Sequence, residues 1–446
     1  MARAGKREFD AIIFGATGFT GQQTVMQFGR LSLCASWAVA GRSREKLEAL
    51  KAETQVVAGI VVADVDDPAS LKQMASRARL VLNATGPYRF FGEAVVAACI
   101  ESGTDYIDLC GEPEFMEKML LRHNDAARAA GVVVCHACAF DSIPADLGIL
   151  RCAQIFQAAG GECAHVEMFH YVDAPQGYTG HDTTFKAAVH GVGAAEELKR
   201  LRKDVEEKYG KVPDGCQALG KLPAKGQVST EPRLGGKYVM PFIGSDASVV
   251  RSSRRVQANI LKQPDCEKLM PQFGIYFAVA YTSSLLKVVT GGSMFQMLAK
   301  SSWGRDLLIR HPSFFTWGGF SAEGPTEEQM QNNCWIGDLF ASGLVGGEKM
   351  SLTLQARLED PGYIGTSMLF ATVAETILTD RGSLSAQGGV FTPAALFGRS
   401  SLLERLARRG FEFKVIESDL PGVLACSGAD GASYSGEETE GDGTFC

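Results

Sequence analysis

Between residues 9 and 136 the chain alternates between short apolar runs and longer segments whose apolar positions recur at helical spacing. Short runs bounded by glycine or polar residues are typical of buried parallel strands, and the longer amphipathic segments are typical of helices that cover a sheet. The apolar runs predict six strands, at residues 11–14, 37–40, 56–63, 80–83, 106–109 and 132–136. The intervening segments predict helices at residues 19–29, 45–52, 68–77, 92–102 and 114–130. Strands and helices in this order form an α/β domain around a doubly wound parallel sheet.

From about residue 151 the pattern is that of a second α+β domain with a mixed, mainly antiparallel sheet. Alternating and short apolar runs predict strands at residues 166–172, 238–243, 248–251 and 351–358. Helical spacing predicts one helix at residues 183–204, which Asp182 would cap, and another at 364–378. Residues 203–237 are charged and rich in glycine and proline, so we expect a mobile excursion there.

The length of 446 residues exceeds what one core usually supports, so the sequence predicts two main domains. The first is expected at residues 9–150, and the second, for substrate binding and dimerisation, at 151–384. Residues 385–425, with a helix at 400–409 and a strand at 412–416, are expected to pack back on the first domain. Residues 427–446 are rich in glycine and acidic residues, with few apolar ones, which predicts a disordered tail.

A glycine-rich turn follows the first predicted strand and opens a helix. Glycines recur there at three-residue spacing, which permits a tight turn, a close approach of the backbone to a pyrophosphate, and close packing of the helix on the sheet. The phosphates would lie at the positive N-terminus of that helix. A glycine triplet alone is a weak signal, but within strand, turn, helix and strand it indicates a Rossmann-type dinucleotide site. The predicted contacts of this turn are Gly15, Ala16, Thr17, Gly18, Phe19, Thr20 and Gly21.

The residues after the second predicted strand indicate which dinucleotide binds. Domains that bind NAD usually place an acidic residue there, which accepts hydrogen bonds from the ribose hydroxyls. This chain instead has Arg42, Ser43 and Arg44. A guanidinium can pair with a 2′-phosphate and a serine hydroxyl can donate to it, so we expect NADP(H). The alternative is that both arginines only begin a solvent-exposed helix.

Further cofactor contacts are expected where the third and fourth strands end. Asp64 would contact the adenine edge or a neighbouring loop, or else cap the next helix. Asn83, Gly86 and Pro87 end the fourth strand and begin the loop that would lie beside the nicotinamide ribose, because ligands of open α/β sheets bind at the carboxyl ends of strands. The alternative for Gly86 and Pro87 is simple turn formation.

Three residues are expected on the substrate side of this crevice. Tyr88 and His181 are candidate proton donors, although Tyr88 could instead be a packing aromatic and His181 a polar loop residue. Asp141 follows the sixth strand and would face the substrate, whereas a purely structural alternative makes Ser142 the N-cap of the next helix.

The net charge of −7 argues against a nucleic-acid partner. Twelve cysteines are scattered without a disulfide framework, and nothing resembling a signal peptide precedes residue 9, so we expect a cytoplasmic protein that is not secreted. Cys135 and Cys138 form the one close pair, and the absence of a second pair favours buried thiols over a metal site.

Residues 273–320 combine broken apolar runs with Trp303, Phe314, Phe315 and Trp317 among lysines and arginines. The longest uninterrupted run is shorter than the ~18 residues that a spanning helix requires. Aromatic and cationic residues together are typical of a surface that lies in a membrane interface, so we expect peripheral contact with lipid. Burial in the second domain, or a dimer contact, is the alternative.

Several segments resemble the saccharopine dehydrogenase-like oxidoreductases: FGATGFTG, AVAGRSREKL, VLNATGPYRFFGE, ACIESGTDYIDLCGEPEF, FDSIPADLG and GGVFTPAALF. The resemblance covers nearly the whole chain except the tail. It implies a Rossmann domain carrying the three glycines, joined to a substrate domain of the saccharopine-reductase type, but not saccharopine as the substrate. The family includes bacterial trans-acting enoyl reductases, and its animal members are associated with lipid droplets and mitochondria. It supplies no catalytic residue to carry over.

Three functions are therefore considered. The first is an NADPH-dependent reductase of an enoyl or imine group on a lipid-linked or apolar substrate, with a lipid droplet, another organelle membrane or the mitochondrion as its location. The second is a saccharopine-type amino-acid dehydrogenase, which would need convergent arginines for the substrate carboxylates. Arg251, Arg254 and Arg255 show no clear convergence in the sequence. The third is a non-catalytic NADP-binding scaffold on lipid surfaces.

Overall fold

The structure is a computed structural model, and it describes residues 7–56, 58–264 and 266–425. The tail predicted to be disordered, residues 427–446, lies outside the described residues. The first part of the chain forms β1 (Phe9–Phe14), α1 (Phe19–Leu31), β2 (Trp37–Gly41), α2 (Arg44–Thr54), β3 (Gly59–Val62), α3 (Pro68–Ser76), β4 (Ala78–Asn83), α4 (Tyr88–Ser102), β5 (Asp105–Asp108), α5 (Pro113–Ala130) and β6 (Val133–Cys135).

The second part is longer and mixes both kinds of element. It forms α6 (Ser142–Ala158), β7 (Gly161–Asp173), β8 (Gly180–His181), α7 (Asp182–Gly193), α8 (Ala195–Tyr209), β9 (Ser229–Glu231), β10 (Lys237–Pro241), α9 (Asp246–Arg255), β11 (Gln272–Val279), α10 (Thr282–Ala299), α11 (Ser302–Arg310), α12 (Pro312–Phe315), β12 (Phe320–Ser321), α13 (Glu327–Asn332), β13 (Cys334–Val345) and β14 (Glu348–Glu359). The last elements are α14 (Ile364–Thr379), β15 (Gly389–Phe391), α15 (Pro393–Phe397), α16 (Leu402–Ala407) and β16 (Lys414–Ser418).

The first sheet is parallel, and its strand order is β15-β6-β5-β4-β1-β2-β3. Its strands are buried on both faces because helices cover them, which explains the continuous apolar runs in the sequence. The strand order reverses between β1 and β4, and a ligand crevice is expected there at the carboxyl ends of the strands. The predicted doubly wound α/β domain is confirmed.

The second sheet has the order β16-β14-β13-β7-β11-β10-β9. Of its neighbouring pairs, β7 with β11 is parallel and the others are antiparallel, as predicted. The hairpin between β13 and β14 turns at Gly346 and Gly347, both with positive φ, at 60° and 86°. A two-residue turn that matches the twist of the strands requires these angles, which glycine adopts without strain.

The two sheets share one continuous hydrophobic core. One cluster of buried side chains extends from β1 through α6 to β13 and β14. Helix α14, from the second part of the chain, packs on α1, where Ser367 Oγ lies 3.3 Å from Thr24 Oγ1. The second domain is therefore attached to the first through buried contacts as well as through the chain connection.

Three predicted elements differ in the structure. Residues 248–251 lie in helix α9, not in a strand, since packing against α6 overrides the β preference of two adjacent valines. The predicted helix 183–204 is two helices, α7 and α8, separated at Ala194 after a glycine-rich turn. Segment 385–425 is divided: β15 extends the first sheet, whereas β16 pairs with β14 in the second.

One predicted cap and two capping alternatives are also wrong. The side chain of His181, not Asp182, caps α7, because its Nδ1 accepts from the amide of Thr183 at 3.3 Å. The residue at the N-cap of α6 is Asp141 rather than Ser142. Helix α3 is capped by Asp67, so the capping alternative for Asp64 is excluded.

Candidate functional site

The glycine-rich turn forms a tight cradle at the N-terminus of α1. Gly15 has a φ of 83°, and a Cβ there would lie 2.6 Å from Thr85 Oγ1. A Cβ on Gly21 would lie 2.1 Å from the carbonyl oxygen of Gly15, so only glycine fits both positions. A Cβ on Gly18 would meet only the carbonyl oxygen of Gly15, at 3.4 Å, so the space above the turn is open.

The first turn of α1 has neither a side-chain cap nor an acidic residue. Its amide groups therefore point into the open space at Gly18, where an anion would receive their hydrogen bonds. These observations fit the pyrophosphate of a dinucleotide.

The residues predicted to select the cofactor lie beside this cradle. Arg42 is exposed directly after β2, and it has no acidic partner within the part of the chain that the structure describes. Ser43 is the N-cap of α2 and accepts from the amide of Lys46 at 3.3 Å, which leaves its hydroxyl hydrogen available. Asp64 follows β3, next to Gly41, whose carbonyl accepts from the amide of Ala63 at 3.1 Å. All three lie at the same edge of the sheet, as a 2′-phosphate and adenosine site requires.

The loop after β4 meets the glycine turn on the other side. Pro87 is the N-cap residue of α4, and Thr85 lies against Gly15. The hydroxyl of Thr85 is buried and makes no hydrogen bond within the described residues. Buried hydroxyls normally have a partner, so this one fits a position that contacts a bound ligand. The sequence analysis did not single out Thr85, because a threonine in a turn carries no distinguishing pattern.

Asn83 and Tyr88 belong to a buried polar network. The Asn83 amide donates to Tyr106 Oη at 3.0 Å, and Tyr106 Oη donates to Asp108 Oδ2 at 3.0 Å. Tyr88 Oη donates to the carbonyl of Asn83 at 2.9 Å and accepts from the amide of Leu109 at 3.3 Å. Burial raises the pKa of Tyr88 well above 10. The Tyr88 hydroxyl thus both donates and accepts a hydrogen bond within the protein, which favours the packing alternative over proton donation.

His181 lies at the junction between the second domain and the cofactor turn. Its ring centroid is 5.3 Å from that of Phe19, which in turn lies 4.6 Å from the ring of Tyr363 on α14's N-terminal side. The amide of His181 donates to Tyr363 Oη at 2.5 Å. The structure therefore brings His181 to the cofactor turn, but its Nδ1 already accepts the cap hydrogen bond.

A second group of titratable residues lies at the carboxyl end of β6. Asp141 is half-buried there, and Asp246 and His170 lie close enough to influence its pKa. His170 Nε2 is 3.2 Å from Asp246 Oδ2, and both residues are buried. Sequence reasoning missed His170 and Asp246, because they come from β7 and α9 and show no spacing relative to Asp141.

The arginines that a saccharopine-type substrate would need are occupied elsewhere. Arg255 pairs with Glu117 at 3.0 Å, and Arg254 stacks over the ring of Phe273 at 4.6 Å from its centroid. Both guanidinium groups are buried in these contacts. They do not converge on the crevice.

Cys135 and Cys138 are both buried free thiols. Burial raises the pKa of each, which makes them unreactive, and Cys138 Sγ lies 3.4 Å from the carbonyl of Cys135. Among the described residues, no group of three or more histidine, cysteine or acidic side chains could hold a metal ion.

The predicted lipid-facing region divides into two parts. Residues 272–279 form β11, a sheet strand whose side chains are partly in the core, so the burial alternative is correct there. By contrast, helix α10 has 18 residues of which only Ala299 is buried. Trp303 and Phe314, on the helices that follow, are 69% and 76% exposed. In the described ranges no helix is long and apolar enough to cross a membrane.

These helices are connected to the cofactor turn through α7. Phe185 and Val189 of α7 pack with Leu308 of α11, and Phe315 joins the same small cluster. Helix α7 begins next to His181, whose ring contacts Phe19. The exposed apolar surface and the crevice are therefore built on one common helix. We call the exposed side chains of Leu286, Val289, Met297, Trp303 and Phe314 the apolar surface.

Comparison with known proteins gives one consistent result. Residues 11–135 match the family model described as saccharopine dehydrogenase NADP binding domain. A rat protein named saccharopine dehydrogenase-like oxidoreductase is 38% identical, over 93% of this chain and 98% of its own length. A Caenorhabditis elegans protein named lipid droplet localized protein is 32% identical, over 91% of this chain and 98% of its own.

Two further similarities extend this result. A Mycobacterium tuberculosis protein whose name assigns it to the trans-acting enoyl reductases is 30% identical, over 91% of this chain and 96% of its own length. The solved structure of apo saccharopine dehydrogenase (L-Glu forming) from Saccharomyces cerevisiae aligns with a TM-score of 0.53 and 12% identity, over 93% of this chain and all of that chain. At this identity the structural likeness indicates a shared fold alone.

Proposed function

Since the chain belongs to the saccharopine dehydrogenase-like oxidoreductases and carries their NADP(H)-binding domain, we propose that it reduces an enoyl or imine group of a lipid-linked or apolar substrate. NADPH would supply the hydride when bound. The residues of the turn from Gly15 to Gly21 would bind its pyrophosphate, and Arg42 and Ser43 its 2′-phosphate. The Thr85 hydroxyl would donate a hydrogen bond to the part of the cofactor that lies between the glycine-rich turn and the loop after β4.

The observation that carries this proposal is the apolar surface and its connection to the crevice. Helix α10 leaves Leu286, Val289 and Met297 exposed, and proteins rarely expose several large apolar side chains together unless the surface binds something. Fully burying each large apolar side chain contributes about 1.5–3 kcal/mol, so a few inserted residues suffice for reversible attachment to lipid. Because α7 supports this surface and also begins at the cofactor turn, a substrate could reach the crevice from the lipid.

The names of two relatives agree with this reading, one through lipid droplets and one through enoyl reduction. The buried arginines argue against the saccharopine-type alternative, because three substrate carboxylates would need free guanidinium groups.

A rate assay tests the proposed reaction. NADPH oxidation is followed with dodecenoyl and crotonyl thioesters, and separately with cyclic imines. We expect the long-chain thioester to be used at least about tenfold more efficiently than the short one, since each additional buried methylene contributes about 0.8 kcal/mol. Tight NADPH binding without oxidation by any of these compounds would favour a non-catalytic scaffold.

Flotation with liposomes tests the lipid surface. We expect the wild-type protein to float, and a variant with Trp303→Ser and Phe314→Ser to remain in the soluble fraction. The matched control removes two other exposed apolar side chains elsewhere, Ile416→Ser and Leu424→Ser, and should float like the wild type. Since all four side chains are exposed, none of the variants should lose thermal stability. If the first variant floats as well as the control does, the apolar surface is not what binds lipid.

A further inference from the structure

Two acidic residues and a histidine from three elements meet next to the crevice. Asp141 lies between β6 and α6, His170 lies on β7, and Asp246 is the first residue of α9. The connection after β5 closes the group, since Gly111 lies close to Ser245, and Ser245 Oγ is 3.2 Å from Ser142 Oγ. The group therefore joins the first domain to the second at the carboxyl ends of β5 and β6, where the nicotinamide half of a dinucleotide is expected.

The orientation of His170 is set by Trp335. The indole Nε1 donates to His170 Nδ1 at 3.1 Å, so Nδ1 is an acceptor and the proton of the neutral ring lies on Nε2. That nitrogen faces Asp246 Oδ2 at 3.2 Å. Burial lowers the pKa of His170 to about 4, so the ring is neutral near pH 7. Burial also raises the pKa of Asp246 well above its usual range, and the charge of Asp146 adds to the effect.

The facing polar atoms of His170 and Asp246 make no hydrogen bond of good geometry within the described residues. His170 Nε2 and both carboxyl oxygens of Asp246 are buried, and none has such a partner within the described residues. Buried polar atoms without partners are rare, and they concentrate at sites that bind a ligand or carry out chemistry. The core packing alone does not explain why this pair is present.

Asp141 differs from both because it is only half-buried. Its backbone has φ 73° and ψ −72°, which a residue with a side chain rarely adopts. Backbone strain of this kind is found mainly at functional sites. Its side chain caps nothing and, in the part of the chain described, forms no hydrogen bond or ion pair, so the strained turn holds an unpaired carboxyl group at the carboxyl end of β6.

The geometry points to Asp141 as the proton donor of the reduction, with His170 and Asp246 as the buried groups beside it. This inference rests on the proposed function. In the step, the hydride of NADPH forms a C–H bond at one end of the substrate double bond. The proton of the Asp141 carboxyl group goes to the other end, which leaves NADP⁺ and an Asp141 carboxylate. Water then returns a proton to that carboxylate.

The charges around Asp141 fit this role. Burial, together with the neighbouring Asp246, raises the pKa of Asp141 to about 7, and His170 would oppose this only when protonated, which its lowered pKa prevents near pH 7. A carboxyl group with this pKa is substantially protonated at neutral pH, as a proton donor requires. Of the other candidates, Tyr88 is less suitable, because its Oη already donates and accepts within the protein. His181 Nδ1 accepts an amide hydrogen bond, which leaves only the Nε2 proton of that ring for donation.

The first measurement needs no substrate. The aspartate carboxyl groups are labelled with ¹³C and titrated by NMR in the wild type and in Asp141→Asn. The signal that is lost in the variant belongs to Asp141. Asparagine tolerates positive φ as aspartate does, so this variant should keep its fold. We expect a midpoint near pH 7 in the wild type and a lower midpoint in Asp246→Asn. A midpoint below about pH 5 in the wild type would overturn the inference.

The second measurement uses NADPH and dodecenoyl thioester. We expect Asp141→Asn to reduce kcat at least a hundredfold with an unchanged Kd for NADPH, and Asp246→Asn to move the alkaline limb of the pH profile to lower pH. The control Asp125→Asn, an exposed aspartate that pairs with Lys208, should behave like the wild type. If Asp141→Asn keeps the activity of the wild type, Asp141 is not the proton donor, and the proposed function still stands. If the wild type itself is inactive on every compound, both the proposed function and the donor are overturned.

Discussion

At the scale of single residues, selection of the cofactor rests on one exposed arginine. Arg42 follows β2 without an acidic partner among the residues described, whereas Arg44, two positions later, pairs with Glu48 at 3.8 Å. An unpaired guanidinium at the edge of the adenosine site is available to a 2′-phosphate. Arg42 thus carries more of the expected preference for NADPH than its neighbour does.

Exchanging this charge should reverse the preference. We expect Arg42→Asp to weaken NADPH binding by roughly 10- to 100-fold while NADH binding is kept or improved, because a charge-assisted contact contributes about 1.5–3 kcal/mol. Fluorescence titration with both cofactors measures the change. Arg30→Asp, at the far end of α1, alters the net charge equally and should bind both cofactors as the wild type does. A wild type that binds NADPH and NADH equally would contradict the assignment.

At the scale of elements, ion pairs attach part of the predicted excursion to the second sheet. Glu231 of β9 accepts from Lys225 and Arg233, both at 2.8 Å, and Arg233 also reaches Glu167 of β7 at 2.6 Å. The guanidinium of Arg233 lies over the ring of Phe340, 4.4 Å from its centroid. Sequence reasoning placed this region in a charged, glycine-rich segment, and the structure shows which of its charges contact the sheet.

The stability that this cluster contributes should depend on pH. The hydrogen bonds from Arg233, with those from Lys225, lower the pKa of Glu231 to about 2 from its usual 4.5. Its contribution is therefore complete above about pH 4.5 and is lost as the pH falls towards 2. We expect Glu231→Gln to lower the free energy of unfolding by about 1–3 kcal/mol at pH 7 and by progressively less below pH 4. Urea unfolding at several pH values measures this difference.

The control for that experiment is Glu348→Gln, at the exposed start of β14. It should leave stability unchanged at every pH. An effect of Glu231→Gln that is equal at pH 7 and pH 2.5 would mean that packing, not charge, accounts for the contribution.

At the scale of the whole molecule, the shared core makes the two domains depend on each other. Buried side chains are continuous from the first sheet to the second, and α14 and β15 return from the later part of the chain to the first domain. A ligand that binds only the native crevice should therefore stabilise both domains together.

We expect one cooperative thermal transition, which NADPH shifts as a whole. At a concentration one hundred times its Kd, the cofactor adds about 2.7 kcal/mol to the free energy of unfolding. Differential scanning calorimetry measures this shift. Gly18→Val, whose side chain would enter the open space above the turn, should show the wild-type transition without the shift. Two separate transitions, of which NADPH moves one, would show that the domains unfold independently.

The sequence by itself determined the features that depend on local order. The spacing of Gly15, Gly18 and Gly21, and the replacement of an acidic residue by Arg42, predicted a cradle and a cofactor that the structure and the family match support. The alternation of strands and helices predicted the doubly wound parallel sheet, because right-handed crossovers leave few other topologies. Such inferences succeed since each depends on residues that are close together in the chain.

The tertiary structure alone decided what depends on distant residues. It placed β15 in the first sheet and β16 in the second, and it made residues 248–251 helical against their local preference. It also brought Asp141 next to His170 and Asp246, which no spacing connects. The physical reason is that burial, strand pairing and the fields between charges act across space, and these contacts form only when the chain has folded.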